Sequence, residues 1–129
     1  MTKWEQKFYR NRVQPVLKKV PGLTFDRVES HSTASGFPDV VYTRRGRTGF
    51  VELKSVKLVN SWVPLDGWAE NQRSWALRHL RQGAVVWLLV ECRPNETRLI
   101  PVTRELVDSA GTSVTDGVEW CLGVAKEAL

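Results

Sequence analysis

Two carboxylates and an amine occur in this sequence with a spacing that suits the binding of a metal ion. Asp39 follows a proline, and Glu52 and Lys54 come after twelve intervening residues. Side chains alternate between the two faces of a β-strand, so Glu52 and Lys54 point to one face and Leu53 points to the core. Two neighbouring carboxylates repel each other unless a cation neutralises them. Oxygen ligands without Cys or His favour Mg²⁺ or Mn²⁺ over zinc.

A divalent metal beside a lysine favours hydrolysis of a phosphodiester bond. Bound Mg²⁺ keeps several waters, and one of them can become the nucleophile. Lys54 can orient or help deprotonate that water and can stabilise charge at phosphorus. Pro-Asp alone is a common turn and Glu-x-Lys alone is a common polar strand face. The two together, on a basic chain, predict a catalytic site.

The residues that separate the two halves of this pattern predict a β-hairpin. Strands are expected over 39–43 and 48–54, joined by a basic turn in which Gly46 takes a positive φ. The two ends of a hairpin lie side by side, so Asp39 is expected beside Glu52.

The remaining elements predict an α/β fold with a central mixed β-sheet flanked by helices. Hydrophobic residues at helical spacing indicate a helix over 2–14, with a kink or a new turn at Pro15. The chain from Val118 onward is ambiguous. The other expected elements are strands over 23–29, 84–91 and 98–102, a loop over 55–64, a helix from an Asp66 N-cap to Gln82 that stops at Gly83, and a short helix over 104–109 capped by Thr103.

Length and composition place the chain among ordinary globular proteins. It has 129 residues, which predicts one domain over 1–129, and 42% apolar with 26% charged residues argues against disorder. The sequence contains no run of about eighteen apolar residues that would span a membrane. The first residues lack an apolar signal region, so a cytoplasmic protein is expected. Two cysteines are too few for a disulfide framework or a zinc site.

An excess of basic residues indicates a polyanionic partner. Nineteen Lys and Arg face fourteen Asp and Glu, a formal charge of +5, and nucleic acid is the partner class that such an excess favours. Two clusters are candidates for contact with DNA phosphates if they flank the site. They are the helical stripe Lys3, Lys7 and Arg10 and the hairpin turn Arg44, Arg45 and Arg47.

The segment Gly36–Asp39 (Gly-Phe-Pro-Asp) followed by Glu52–Lys54 (Glu-Leu-Lys) resembles the PD-(D/E)XK nuclease superfamily. The similarity is greatest to the small VRR-NUC and Holliday-junction-resolvase-like nucleases of phages and bacteria. In those proteins a helix with Gln-x-x-Trp leads to a glycine and an apolar strand. Here Gln72–Trp75, Gly83 and residues 84–91 correspond to them. The resemblance covers residues 5 to about 102.

This resemblance implies a restriction-endonuclease-like core, dependence on a divalent metal and hydrolysis of DNA. Many members carry a glutamate on the first helix that reaches the metal, and Glu5 holds that position here. Glu29 is the alternative third carboxylate. Gln72 shares a helical stripe with tryptophans and is expected to hold the Lys54 end of the site or a phosphate. Most of the six tryptophans are expected in the core, although Trp62 and Trp68 can also stack on bases.

The predicted function is therefore that of a Mg²⁺- or Mn²⁺-dependent endonuclease selective for branched DNA, such as a junction or flap, in phage or bacterial DNA processing. One alternative is a restriction-type or DNA-end-processing nuclease. Another is a catalytically silent nucleic-acid-binding module on the same fold, which the intact Asp39, Glu52 and Lys54 disfavour. A junction resolvase needs paired active sites and hence a homodimer, whereas a flap cutter can act as a monomer.

Overall fold

The fold is described from a computed structural model that covers residues 1–28 and 36–129. The β-strands are β1 Thr24–Arg27, β2 Val40–Arg44, β3 Arg47–Lys57, β4 Trp62–Pro64, β5 Val85–Arg93, β6 Glu96–Pro101, β7 Gly111–Ser113 and β8 Val118–Glu119. The α-helices are α1 Lys3–Phe8, α2 Gln14–Leu17, α3 Glu70–Leu80, α4 Arg104–Val107 and α5 Leu122–Ala128. A π-helical segment, Tyr9–Val13, joins α1 to α2, and a short 3₁₀ turn, Val114–Asp116, follows β7.

Six of these strands form one mixed sheet in the order β1-β2-β3-β5-β6-β8. The central pair β3 and β5 is parallel, and its connection runs through β4 and α3. The other neighbours in this sheet are antiparallel. The predicted α/β fold with a central mixed sheet flanked by helices is confirmed. Strands β4 and β7 form a separate two-stranded sheet.

The two faces of the large sheet carry two hydrophobic cores. On one face, Phe8, Leu17 and Ala125 from the helices near both ends of the chain pack on Leu53. On the other face, Trp75 of α3 belongs to the core that packs on β5 and β6. Strand alternation therefore decides which way each residue of β3 points, because Leu53 faces the first core while Glu52 and Lys54 face α3.

The predicted hairpin is confirmed as β2 and β3. Val40 pairs with Val51 and Arg44 with Arg47. The two turn residues, Arg45 and Gly46, have φ values of 53° and 76°, the left-handed conformation that a tight two-residue hairpin turn requires.

Two expectations between β3 and α3 are wrong: the loop over 55–64 and the N-terminal boundary of α3. The segment predicted as a loop over 55–64 contains the end of β3, which continues to Lys57, and β4. Helix α3 begins after an N-cap at Ala69 rather than Asp66. The reason is that Trp68 is buried and its N–H bonds to the Leu65 carbonyl in a turn, so the chain is held outside the helix until Ala69.

The new helical turn expected at Pro15 is confirmed as α2, which has Pro15 in its first turn. The π-helical segment before it was not expected, and there the Gln14 N–H bonds to the Tyr9 carbonyl. Proline has no N–H to donate, so a change of hydrogen-bond register just before it is physically reasonable.

The remaining boundaries agree more closely with expectation. The Thr103 hydroxyl accepts the Leu106 N–H as the expected cap of α4, and Gly83 ends the α3 region with a φ of 87°. The ambiguous C-terminal stretch forms β8 and α5. Across the described ranges, none of the helices has the length and apolar character needed to cross a membrane.

Candidate active site

Asp39, Glu52 and Lys54 lie together where β2 begins beside β3. The Asp39 carboxylate accepts the backbone N–H of Leu53 with an N–O distance of 2.9 Å. The Lys54 ammonium lies 3.7 Å from the nearer carboxylate oxygen of Glu52. The hairpin thus produces the predicted juxtaposition of two carboxylates and an amine on one strand pair.

The Glu52 carboxyl group is the most perturbed titratable group of this cluster. Only 3% of Glu52 is exposed. Burial raises its pKa well above the ordinary value, and the adjacent Asp39 carboxylate raises it further, while the Lys54 ammonium opposes both effects. A carboxylate that is buried beside a second carboxylate gains further stabilisation of its charged form when a cation is added. A hard divalent cation suits such a pair of oxygen donors.

Gln72 connects the amine to the carboxylate. Its side-chain oxygen accepts a hydrogen bond from the Lys54 ammonium at 2.9 Å, and its side-chain nitrogen donates to Glu52 at 3.1 Å. The same oxygen also accepts the Ala69 N–H at 3.0 Å, which caps the first turn of α3. The predicted contact of Gln72 with the Lys54 end of the site is present in the structure.

An aromatic cluster fixes the helix that carries Gln72. Trp75 lies one turn after Gln72 and is buried. Its ring makes edge contacts with Phe37 at 5.2 Å and with Phe50 at 5.0 Å between centroids. Phe37 belongs to the loop before Asp39 and Phe50 to β3. These contacts tie together the loop, the strand and the helix that supply the site.

Gly36 allows the loop before Asp39 to approach α3. It has a φ of 86°, and a Cβ atom at this position would lie 2.1 Å from the Asn71 carbonyl oxygen. A side chain is therefore excluded both by the backbone conformation and by the neighbouring helix.

These residues line one open cavity of about 400 Å³. Asp39, Glu52, Lys54 and Gln72 line it, together with Met1, Thr2 and Glu5 at the start of α1. Glu52 and Lys54 are nevertheless buried, at 3% and 6% exposed.

Glu5 lines the same cavity as Asp39 and Glu52, and its role as the third metal ligand stays a prediction. The described residues contain no group of three or more His, Cys, Asp or Glu that would hold a metal ion. The Glu5 carboxylate instead accepts the N–H of Thr2, whose hydroxyl in turn accepts the N–H of Glu5. This reciprocal capping box explains why Glu5 turns toward the start of its own helix. Its charge still contributes to the raised pKa of Glu52. Glu29 lies outside the described residues.

The six residues predicted to contact DNA differ in their exposure: five are exposed and one is buried. Lys3, Lys7, Arg10, Arg45 and Arg47 are exposed. Arg44 is not, because its side chain is 6% exposed and its guanidinium donates to the carbonyl oxygens of Pro21 and Lys126 at 2.9 and 2.6 Å. The prediction that Arg44 contacts DNA is wrong, since its donors hold two distant chain segments together.

The hairpin turn also lies farther from the site than the expectation implied. Arg47 is five residues before Glu52 on β3, which corresponds to about 17 Å along a strand. The exposed pair Arg45 and Arg47 can therefore contact only DNA that extends well beyond the cavity.

Two further aromatic side chains, Trp68 and His79, have structural roles. Trp68 is buried beneath the Arg73 guanidinium at 4.9 Å, and His79 stacks on Trp75 at 3.8 Å. Trp62 remains about half exposed. Thr2 also lines the site and is not among the residues that the sequence pattern indicates. Thr2-x-x-Glu5 is a capping-box signature that could have revealed it.

Comparison with known structures confirms the fold at the level of architecture. The fold is restriction-endonuclease-like, as the resemblance to PD-(D/E)XK nucleases implied. A similar solved structure is Hjc, a Holliday junction resolvase from the archaeal hyperthermophile Archaeoglobus fulgidus. The two share 16% sequence identity with a TM-score of 0.62, over 95% of this chain and 98% of that one. No protein-family model and no curated protein matches the sequence.

Proposed function

We propose that this protein is a divalent-metal-dependent DNA endonuclease that acts on branched DNA. The observation that carries the proposal is the pairing of the half-buried Asp39 with the buried Glu52, beside Lys54 in an open cavity. The basic charge of the chain and its structural likeness to a Holliday junction resolvase support DNA as the substrate and a junction as its form.

The metal fits the donors that the structure provides. Asp39 and Glu52 would hold Mg²⁺ or Mn²⁺, which would offset their repulsion and supply polarisation of the phosphate and a water of lowered pKa. Glu5 lines the same cavity and would supply the third carboxylate.

Lys54 is suited to act on the phosphate and on the attacking water. Its ammonium has three N–H donors. One is bonded to Gln72 and a second faces Glu52. The third remains to orient the nucleophile or to stabilise negative charge that develops at phosphorus. In a site that is 6% exposed at this lysine, such a charge interaction is stronger than in water.

Gln72 positions Lys54 rather than reacting itself. Its oxygen holds the ammonium and its nitrogen holds the carboxylate, so the separation of the two charged groups is fixed by one neutral side chain. A neutral bridge has the advantage that it adds no third negative charge to the Asp39–Glu52 pair.

The proposal is tested by cleavage of a DNA panel. Four-way junctions, flaps, single strands and linear duplex are incubated with the purified protein and Mg²⁺ or Mn²⁺. We expect cleavage that is abolished by EDTA and by Asp39→Ala or Glu52→Gln, while Glu119→Gln, the same change at an exposed strand position, leaves it intact. Cleavage that persists in EDTA would contradict the proposed chemistry.

The assembly state follows from the substrate. Cutting a four-way junction symmetrically requires two active sites, so a junction resolvase would act as a homodimer. Sedimentation of the free protein and of its complex with a junction measures this directly. A monomer in both states would favour a flap substrate over a junction.

A further inference from the structure

The start of α1 places an exposed tryptophan beside the cavity. Thr2 and Glu5, on either side of Trp4 in the first turn, line the cavity. Trp4 itself is 52% exposed. An exposed indole at the edge of a cavity carries a large apolar surface that the hydrophobic cores of the described fold do not use.

One face of this indole is covered by an arginine. The Arg93 guanidinium lies over the Trp4 ring at 4.4 Å from its centroid. Within the described part of the chain, Arg93 makes no ion pair, and its Nε is a buried nitrogen without a hydrogen-bond partner. A guanidinium that is held against a ring and lacks an anionic partner is available to a phosphate.

The strand that carries the catalytic residues leads to this arginine. Lys57, at the end of β3, is the register partner of Arg93 on β5 and is exposed. It lies three residues beyond Lys54, about 10 Å along the strand, so its side chain points to the opposite face of β3, the face on which α1 packs. Trp4, Arg93 and Lys57 therefore lie on the α1 face of the sheet and are here called the Trp4 patch. This patch meets the cavity at the start of α1, where Thr2 and Glu5 line it, so a DNA segment that passes over this end of α1 can reach both.

We propose that the Trp4 patch is a stacking site for an unpaired base next to the phosphate that is cleaved, an inference that rests on the proposed nuclease function. The indole offers a flat apolar surface backed by Arg93, which is the arrangement that base stacking uses. Arg93 and Lys57 supply the positive charge that the flanking phosphates require. A base in a perfect duplex is already stacked on its neighbours, so the patch favours DNA with unpaired bases at a branch or end.

The test measures DNA binding without cleavage. Fluorescence anisotropy is recorded in Ca²⁺ with the Glu52→Gln protein, on a flap with unpaired bases and on a fully paired duplex. Trp4→Ala is expected to weaken binding to the flap by roughly 5- to 150-fold, the range of a lost base–aromatic stack. Binding to the duplex is expected to change by less than about twofold.

Three further variants distinguish stacking from a structural role. Trp4→Phe is expected to retain most of the flap affinity, whereas Trp4→Leu is not. Arg93→Gln is expected to lower the slope of log affinity against log salt by just under one unit, while Trp4→Ala leaves that slope unchanged. Val118→Ala removes a similarly exposed apolar residue at the far edge of the sheet and is expected to have no effect.

The results distinguish a failure of the stacking site from a failure of the proposed nuclease function. If the parent protein cleaves branched DNA with metal but Trp4→Ala binds the flap as the parent does, the stacking site is wrong and the nuclease function stands. Equal weakening on flap and duplex would also overturn the stacking site. If the parent neither binds nor cleaves any DNA in the panel, the proposed function fails and the stacking site fails with it.

Discussion

Removing the carboxamide of Gln72 tests whether a neutral bridge positions the catalytic lysine. In Gln72→Ala, the Lys54 ammonium loses its 2.9 Å hydrogen bond and Glu52 loses its 3.1 Å hydrogen bond. Lys54 is then left with Glu52, 3.7 Å away, as its nearest charged partner. We expect the ammonium to move toward this carboxylate and away from the position in which it faces the phosphate.

The size of the effect follows from the bonds that are lost. A hydrogen bond to a charged group contributes about 1.5–3 kcal/mol. If one such bond is lost from transition-state positioning, kcat falls by roughly 10- to 150-fold, since each 1.36 kcal/mol corresponds to a factor of ten. The loss of the cap on Ala69 costs about 1 kcal/mol of stability, which lowers the melting temperature by only a few degrees.

Single-turnover cleavage and calorimetric titration with Mn²⁺ measure this prediction. The rate is expected to fall while the affinity for Mn²⁺ changes little, because Asp39 and Glu52 remain. Gln82→Ala, at an exposed glutamine just beyond α3, serves as the matched control. Gln72→Glu retains an acceptor for Lys54 but adds a negative charge beside Glu52, so its pH–rate profile is expected to move to higher pH. A Gln72→Ala rate within twofold of the parent would refute the positioning role.

Further predictions follow from the same site and its surroundings. The folded pKa of Glu52 lies above its ordinary value of 4.5. Its contribution to the stability of the metal-free protein is therefore present below that value and is lost as pH rises through the folded pKa. The melting temperature of Glu52→Gln, measured from pH 4 to 9, should decline less with rising pH than that of the parent. Gly36→Ala should lower both the melting temperature and cleavage, because its Cβ would meet the α3 backbone. Arg44→Ala should lower the melting temperature markedly, and a protein that melts as the parent does would contradict its structural role. Arg45→Ser with Arg47→Ser should flatten the salt dependence of binding to long DNA by just under two units, without changing which DNA form is preferred; an unchanged slope would show that this turn does not contact DNA.

The sequence predicts the core of the site well because the relevant rules are local. Alternation along a strand fixes which way Glu52, Leu53 and Lys54 point, and a two-residue turn with Gly46 fixes the register that brings Asp39 beside them. The sequence also indicates Gln72 as a site residue, because a glutamine on an otherwise aromatic helical stripe is unexpected for packing.

The sequence does not predict features that depend on contacts between distant segments. Arg44 appears in a basic turn, yet its donors bond to carbonyl groups near residues 21 and 126. The start of α3 moves to Ala69 because the buried Trp68 holds the preceding residues in a turn, in which its N–H bonds to the Leu65 carbonyl. The contact between Trp4 and Arg93 joins residues 89 positions apart, which no local pattern reveals.

If Asp39, Glu52 and Lys54 form a metal-dependent active site for DNA cleavage, metal binding and cleavage should respond differently to changes at the carboxylate and at the lysine. A paired measurement of the two properties tests this most directly. Calorimetric Mn²⁺ binding and cleavage of a four-way junction are measured on the same preparations of the parent, Glu52→Gln and Lys54→Ala. We predict that the parent binds metal and cleaves, that Glu52→Gln loses both properties, and that Lys54→Ala binds metal but does not cleave. Junction cleavage by Glu52→Gln at the parental rate, or by the parent in the presence of EDTA, would contradict the account.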